Sequence, residues 1–79
     1  MKNYIIEYTG WNYGFDKIGH VMLFQKYAGM SLGEAKQTMD RIMRNEVQFV
    51  KIESLDSAKK LFTESIQMGA ICNFINNPS

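Results

Sequence analysis

The strongest local constraint in this chain is a stretch that ends one helix and begins the next, residues 29–36, GMSLGEAK. Glycine takes positive φ without steric cost, so Gly29 suits the residue that stops a helix. Ser31 and Glu34 have the spacing of a capping box, in which each side chain accepts a hydrogen bond from the other residue's backbone N–H. The stretch therefore predicts a sharp corner between two helices.

The helix before this corner is more apolar than a helix that exposes half of its surface. We predict that Asp16 caps it and that it runs to about Ala28. A single core-facing stripe uses four of its residues, namely Ile18, Val21, Ala28 and either Leu23 or Phe24. Met22 and the other member of that pair are then in surplus. The helix is either covered on two sides or presents an apolar surface to a partner.

The remaining segments are short and separated by turn residues. We predict three strands, at Tyr4–Thr9, Val47–Ile52 and Ala70–Ile75, and an aromatic loop at 9–15. A second helix is predicted from Leu32 to about Arg44, and a third between the cap Ser54 and the stop Gly69. Residues 76–79 are predicted to be a frayed tail. The third helix would bury Leu55, Ala58, Leu61, Phe62 and Ile66. The predicted fold is α+β, a two-layer β-α-α-β-α-β sandwich with three helices on one face of a three-stranded sheet.

Length and charge exclude several classes of protein. The 79 residues suit a single domain over 1–79, and the net charge is +1 with scattered cations rather than a basic stripe, so we expect no nucleic-acid partner. No apolar run approaches the length of a membrane span, and the first residues lack the apolar core of a signal peptide. A single cysteine fits a reducing compartment, so we expect a cytoplasmic protein without membrane association.

The residues that most often carry catalysis are few and badly placed. Cys72 lies inside a predicted core strand, where a thiol is usually inert packing, and His20 is expected to be a partly exposed spacer on the first helix. One cysteine and one histidine do not suggest a metal site, and no glycine-rich phosphate motif is present. We expect no catalytic residues, no metal and no cofactor.

Three aromatic residues lie in the loop between the first strand and the first helix: Trp11, Tyr13 and Phe15. Their rings either fold over the edge of the core or extend a binding surface, since tryptophan and tyrosine are enriched at interface hot spots. A pocket for a small molecule or peptide under Trp11 and Tyr13 is a further alternative.

From Asp16 to about Phe74 the chain resembles the C-terminal domain of the bacterial ribosomal large-subunit stalk protein. That family has a turn Gly-Leu-Gly/Ser-Leu-Lys-Glu-Ala-Lys, which corresponds to residues 29–36, and a Gly-Ala step before its last strand, which corresponds to Gly69-Ala70. The resemblance implies the β-α-α-β-α-β fold and recruitment of translation GTPases through the first two helices.

The stalk family has basic residues in its first two helices, and this chain has lysines at only some of the corresponding positions. Lys17 and Lys36 fall at matching basic positions, whereas Met22 and Gln25 occupy the other two basic positions of the first helix. The Clp protease adaptor S family has the same fold, and its Met-Ser-x-x-Glu-Ala motif looks like residues 30–35. That resemblance implies a protease ATPase as partner, although the adaptor's acidic run aligns with residues 11–13, which have no carboxylate.

These observations together predict a small, non-enzymatic protein-binding module. Its expected surface is the first helix and the corner, with an apolar centre and a basic rim: Lys17, Met22, Leu23, Gln25, Lys26, Met30 and Lys36, extended by Trp11, Tyr13 and Phe15. The expected partner is a protein, either a translation GTPase or a protease ATPase. The alternatives are a Clp-type adaptor-like peptide binder and a homodimer that uses the same helix as its self-interface.

Overall fold

A computed structural model describes residues 3–76 of the chain. The elements in chain order are β1 (Tyr4–Trp11), α1 (Lys17–Ala28), α2 (Leu32–Met43), β2 (Gln48–Ile52), α3 (Leu55–Gln67) and β3 (Ala70–Phe74). The strands form one antiparallel sheet in the order β2-β1-β3, with all three helices on one face. The predicted α+β sandwich with the element order β-α-α-β-α-β is confirmed.

The helix ends form as the sequence predicts. Side chains of the residues before each helix accept a hydrogen bond from a backbone N–H in its first turn, and these caps are Asp16, Ser31 and Ser54. In the corner both bonds of the capping box are present, at 3.1 and 3.2 Å. Gly29 has a φ of 66°, the left-handed conformation that ends α1. The corner between α1 and α2 is therefore fixed by backbone conformation and by caps.

Alternate residues of the sheet point toward the helices and form the core with them. The buried sheet residues are Ile6, Tyr8, Val50, Ile52, Ala70 and Cys72. The helices contribute Phe24, Ala35, Met39, Ile42, Ala58 and Leu61 to the same cluster. Within residues 3–76, no helix packs on the opposite face of the sheet, whose side chains are partly or fully exposed.

A bulge in β1 changes which way its last residues point. The pairing with β3 shifts between Tyr8 and Gly10, so that Thr9 is an extra residue and Trp11 lies opposite Ala70, on the helix side. The prediction that a loop begins at Thr9 is wrong, because the bulge lets β1 continue to Trp11. The next strand also differs, beginning at Gln48 rather than Val47.

The buried face of α1 is not the predicted stripe. Ile18 is 77% exposed, whereas His20 is fully buried and lies on the core side of the helix. The expectation of a partly exposed His20 is therefore wrong. Ile66, predicted in the buried face of α3, is 49% exposed, and Ser65 is buried in its place. The Ser65 hydroxyl is paired with that of Tyr8, and Nδ1 of His20 with the Asp16 carbonyl, whereas Nε2 of His20 has no hydrogen-bond partner among the described residues.

Asn76 is the last residue that the structure describes. Its side-chain oxygen accepts a hydrogen bond from the N–H of Ile5 at 2.7 Å, and its amide group donates to the carbonyl of Asn3 at 2.8 Å. The rest of the predicted frayed tail, 77–79, lies outside the described residues. Within 3–76, no helix combines the length and the apolar character needed to cross a bilayer.

Candidate functional site

A groove of about 420 Å³ lies between α1 and α2. Its lining consists of Lys17, Ile18, Val21, Lys36 and Asp40. We call these five residues the α1–α2 groove. The corner at residues 29–33 holds the two helices side by side, which is why residues near the start of α1 and residues of α2 line the same groove.

Charges of both signs border this groove, with positive charge in excess. The ammonium group of Lys17 lies 3.4 Å from a carboxylate oxygen of Asp40, and both side chains are about half exposed. A salt bridge in contact with water contributes little to stability, so Lys17 can turn to another carboxylate at small cost. Within residues 3–76, Lys36 has no ion-pair partner. The groove therefore offers two cations against one carboxylate.

Apolar side chains form the centre of the groove and extend along α1. Ile18 is 77% exposed and Met22, one turn further along the same helix, is 64% exposed. Val21, between them, is half-buried against the core. Leu32, at the start of α2, is also exposed. This apolar surface is unpartnered in the described chain.

Leu23 does not belong to the surface that the sequence predicts. It is only 6% exposed and packs in the core beside Phe24, so its predicted place among the binding residues is wrong. Both residues are inside because α1 packs against α2, α3 and β2 at once, which needs a wide apolar face. Of the two surplus residues in α1, only Met22 is left at the surface.

The other predicted residues are spread over the surface rather than gathered at the groove. Gln25 is exposed on α1. Lys26 and Lys51 line a separate, more polar depression. Met30 is half-buried against the core, and its sulfur accepts a hydrogen bond from Thr38 at 3.8 Å, so it is not the exposed, adaptable contact that was predicted.

Two residues central to the groove were missed by sequence reasoning. Ile18 and Val21 were placed in the core, because α1 has apolar residues around most of its circumference and their spacing does not define one face. The surplus of apolar residues in α1 was a usable signal that some of them are exposed. It did not identify which ones.

The aromatic loop divides between packing and exposure. The indole N–H of Trp11 donates to the carbonyl of Met43 at 3.3 Å, which ties the end of β1 to the end of α2. Phe15 stacks on His20 with ring centroids 4.4 Å apart. Phe15 therefore packs against the core, as one of the two interpretations predicted, whereas Trp11 is 39% exposed. Tyr13 is fully exposed at the tip of the turn and makes no such contact.

His20 and Cys72 are poorly placed for catalysis. Burial lowers the pKa of His20, an effect that the Asp16 carbonyl, 2.8 Å from Nδ1, only partly offsets. Burial raises the pKa of the Cys72 thiol to about 11, so the reactive thiolate is scarce at neutral pH. The hydroxyl of Tyr8 lies 2.8 Å from that of Ser65, and desolvation raises its pKa too. All four of these side chains are buried.

Residues 3–76 hold no group of three or more His, Cys, Asp or Glu side chains placed to bind a metal ion. Comparison of the chain with protein-family models, with curated proteins and with solved structures gave no match. The features that bear on function are therefore the geometry of the α1–α2 groove and the residues around it.

Proposed function

We propose that this domain is a small, non-enzymatic protein-binding module that docks a partner through α1 and the corner. The observation that supports it is the α1–α2 groove, which the exposed Ile18 lines together with Lys17 and Lys36. Ile18, Met22 and Leu32 are all exposed on α1 and the start of α2, and an exposed apolar patch rimmed by polar residues is a mark of an interaction site. An apolar centre with a charged rim is the usual anatomy of a protein interface.

The charges of the groove indicate the chemistry of the partner. Two lysines beside an apolar floor fit a segment that inserts an apolar side chain between carboxylates. The resemblance to the ribosomal stalk domain suggests a translation GTPase as the protein that carries this segment, and a Clp-type ATPase as the alternative. Either partner would place the domain in the cytoplasm. A groove of this size suits a weak, transient contact.

The test is direct binding of purified partners to matched variants. We expect wild type to bind a translation GTPase in biolayer interferometry, and Ile18→Asp or Met22→Asp to weaken binding at least about tenfold by placing a carboxylate among acidic partner groups. Lys36→Glu should weaken binding similarly and make it less sensitive to salt, because a repulsive charge replaces an attractive one. The control is Ile66→Asp, an exposed isoleucine on α3 outside the groove.

Circular dichroism should be the same for all four variants, because each replaced side chain is exposed. Binding of a Clp-type ATPase instead, with the same dependence on Ile18 and Lys36, would support the adaptor-like alternative. Equal binding by wild type and all variants, or no binding to either partner, would contradict the proposal.

A further inference from the structure

The sheet has an uncovered face that the proposed function does not use. We call it the open face; its residues are Ile5, Glu7, Phe49, Lys51, Ile71, Asn73 and Ile75. Phe49 is 59% exposed, Ile71 44% and Ile75 53%. An antiparallel sheet can be stable with one face covered and the other in water. The fold therefore does not require apolar side chains on the open face.

The open face carries opposite charges on neighbouring strands: Glu7 on the central strand and, on the edge strand β2, Lys51, which also lines the depression that contains Lys26. Glu7 is paired with Phe49 and Lys51 with Ile5 in the β1–β2 register, which makes Glu7 and Lys51 diagonal neighbours on adjacent strands. Within residues 3–76 neither side chain forms an ion pair, and Glu7 only accepts a long hydrogen bond from Asn73 at 3.3 Å. The open face thus carries one carboxylate and one ammonium group that form no ion pair among the described residues.

We propose that a second copy of this chain docks on the open face, with the two sheets packed face to face about a two-fold axis. A two-fold axis forms every contact twice, so Glu7 of each copy meets Lys51 of the other. Packed sheets are about 10 Å apart, a gap that an extended glutamate and an extended lysine span together. Phe49 and Ile71 fill the remaining space. Because the surface carries one charge of each sign, two copies of it are complementary to each other. This self-complementarity favours a second copy of the chain over a different protein as the occupant.

Charge reversal tests this pairing by sedimentation velocity over a wide range of protein concentrations. We expect wild type to dimerise, and Glu7→Lys or Lys51→Glu alone to weaken self-association at least about tenfold, because each sets like charges against each other. Mixing the two single variants should restore a dimer, since every facing pair is then opposite in charge. The double variant Glu7→Lys/Lys51→Glu should also dimerise. Lys59→Glu on α3 is the control and should behave as wild type.

Each outcome decides for or against the open face. A wild-type chain that stays monomeric at all concentrations overturns the proposal. So does a dimer that Ile18→Asp dissociates while the charge reversals leave it intact, because that result places the self-interface on α1. Failure of the mixed single variants to pair overturns the Glu7–Lys51 contact. Partner binding at the α1–α2 groove is measured separately, and we expect the open-face variants to leave it unchanged.

Discussion

His20 is a buried base that the fold keeps neutral. Its Nε2 has no hydrogen-bond partner among the described residues, and burial is the main reason that its pKa is lowered. The unfolded chain therefore takes up this proton before the folded one as pH falls. The contribution of His20 to the free energy of unfolding is therefore fully present above the unfolded-state pKa of about 6.5, and it decreases as pH falls below that value.

Urea unfolding on both sides of that pH measures the effect. We expect wild type to lose more unfolding free energy on acidification than His20→Phe, which keeps an aromatic ring against Phe15 and cannot be protonated. The carbonyl of Asp16 still accepts from the backbone N–H of residue 20 in this variant. Identical losses in the two proteins would show that His20 does not contribute to the pH dependence.

Leu23 and Met22 are neighbours in sequence with opposite surroundings. Leu23→Ala removes packed methyl groups from the core and should reduce the free energy of unfolding by about 2–4 kcal/mol. Met22→Ala removes a side chain that is 64% exposed and should change it by less than about 0.5 kcal/mol. Chemical denaturation compares them directly, and similar losses for both would mean that α1 is packed differently.

The corner between α1 and α2 offers a matched pair of glycines at the scale of the element. A Cβ added at Gly29 or at Gly33 meets no atom within 4 Å, so a difference between the two alanine variants reports backbone conformation alone. Gly29→Ala forces a side chain into the left-handed region at φ 66° and should destabilise by about 1 kcal/mol. Gly33→Ala, in the first turn of α2, should stabilise by about 0.5 kcal/mol. Thermal melts that rank the variants in the reverse order would contradict the corner as described.

The elements that could be predicted from sequence are those whose signals are local. The corner depends on Gly29, Ser31 and Glu34, whose effects act within one helical turn, and it forms as expected. The face that α1 buries depends on what packs against it, and three elements do so. Periodicity could not identify that face, because apolar residues surround the helix; Ile18 was therefore placed inside and His20 outside, the reverse of their positions.

The site was predictable only in part for the same reason. Lys17 and Lys36 were expected together and do line one groove, since the corner sets α1 beside α2. Lys26 was expected with them, yet it lines a different depression with Lys51, a residue distant in sequence. Which strand meets which helix end is decided by the tertiary fold, and no local pattern in the sequence reports it.

At the scale of the whole molecule, the two proposed surfaces belong to different layers. The α1–α2 groove is built from helices, and the open face is the side of the sheet that no helix covers in the part of the chain that the structure describes. A dimer through the open face would therefore leave a groove available on each copy. Two linked grooves would bind a partner with two matching segments more tightly than one groove does, by raising the local concentration of the second site.

The side chain of Asn76 adds two hydrogen bonds to the backbone pairing that joins the two ends of the described chain, and this connection carries the last prediction. Asn76 accepts from Ile5 and donates to Asn3, and so links the segment after β3 to the start of β1, the central strand. Asn76→Ala should cost about 1–2 kcal/mol of unfolding free energy by removing both bonds and leaving the part-buried Ile5 N–H without its partner.

Asn76→Asp keeps the acceptor for Ile5 and loses the donor to Asn3, so its loss should lie between those of Asn76→Ala and wild type. The control is Asn73→Ala, which removes an exposed bond of 3.3 Å and should change stability by less than about 0.5 kcal/mol. Urea denaturation at low protein concentration keeps dimerisation out of the comparison. If Asn76→Ala were as mild as Asn73→Ala, the sheet alone would hold the chain ends in place.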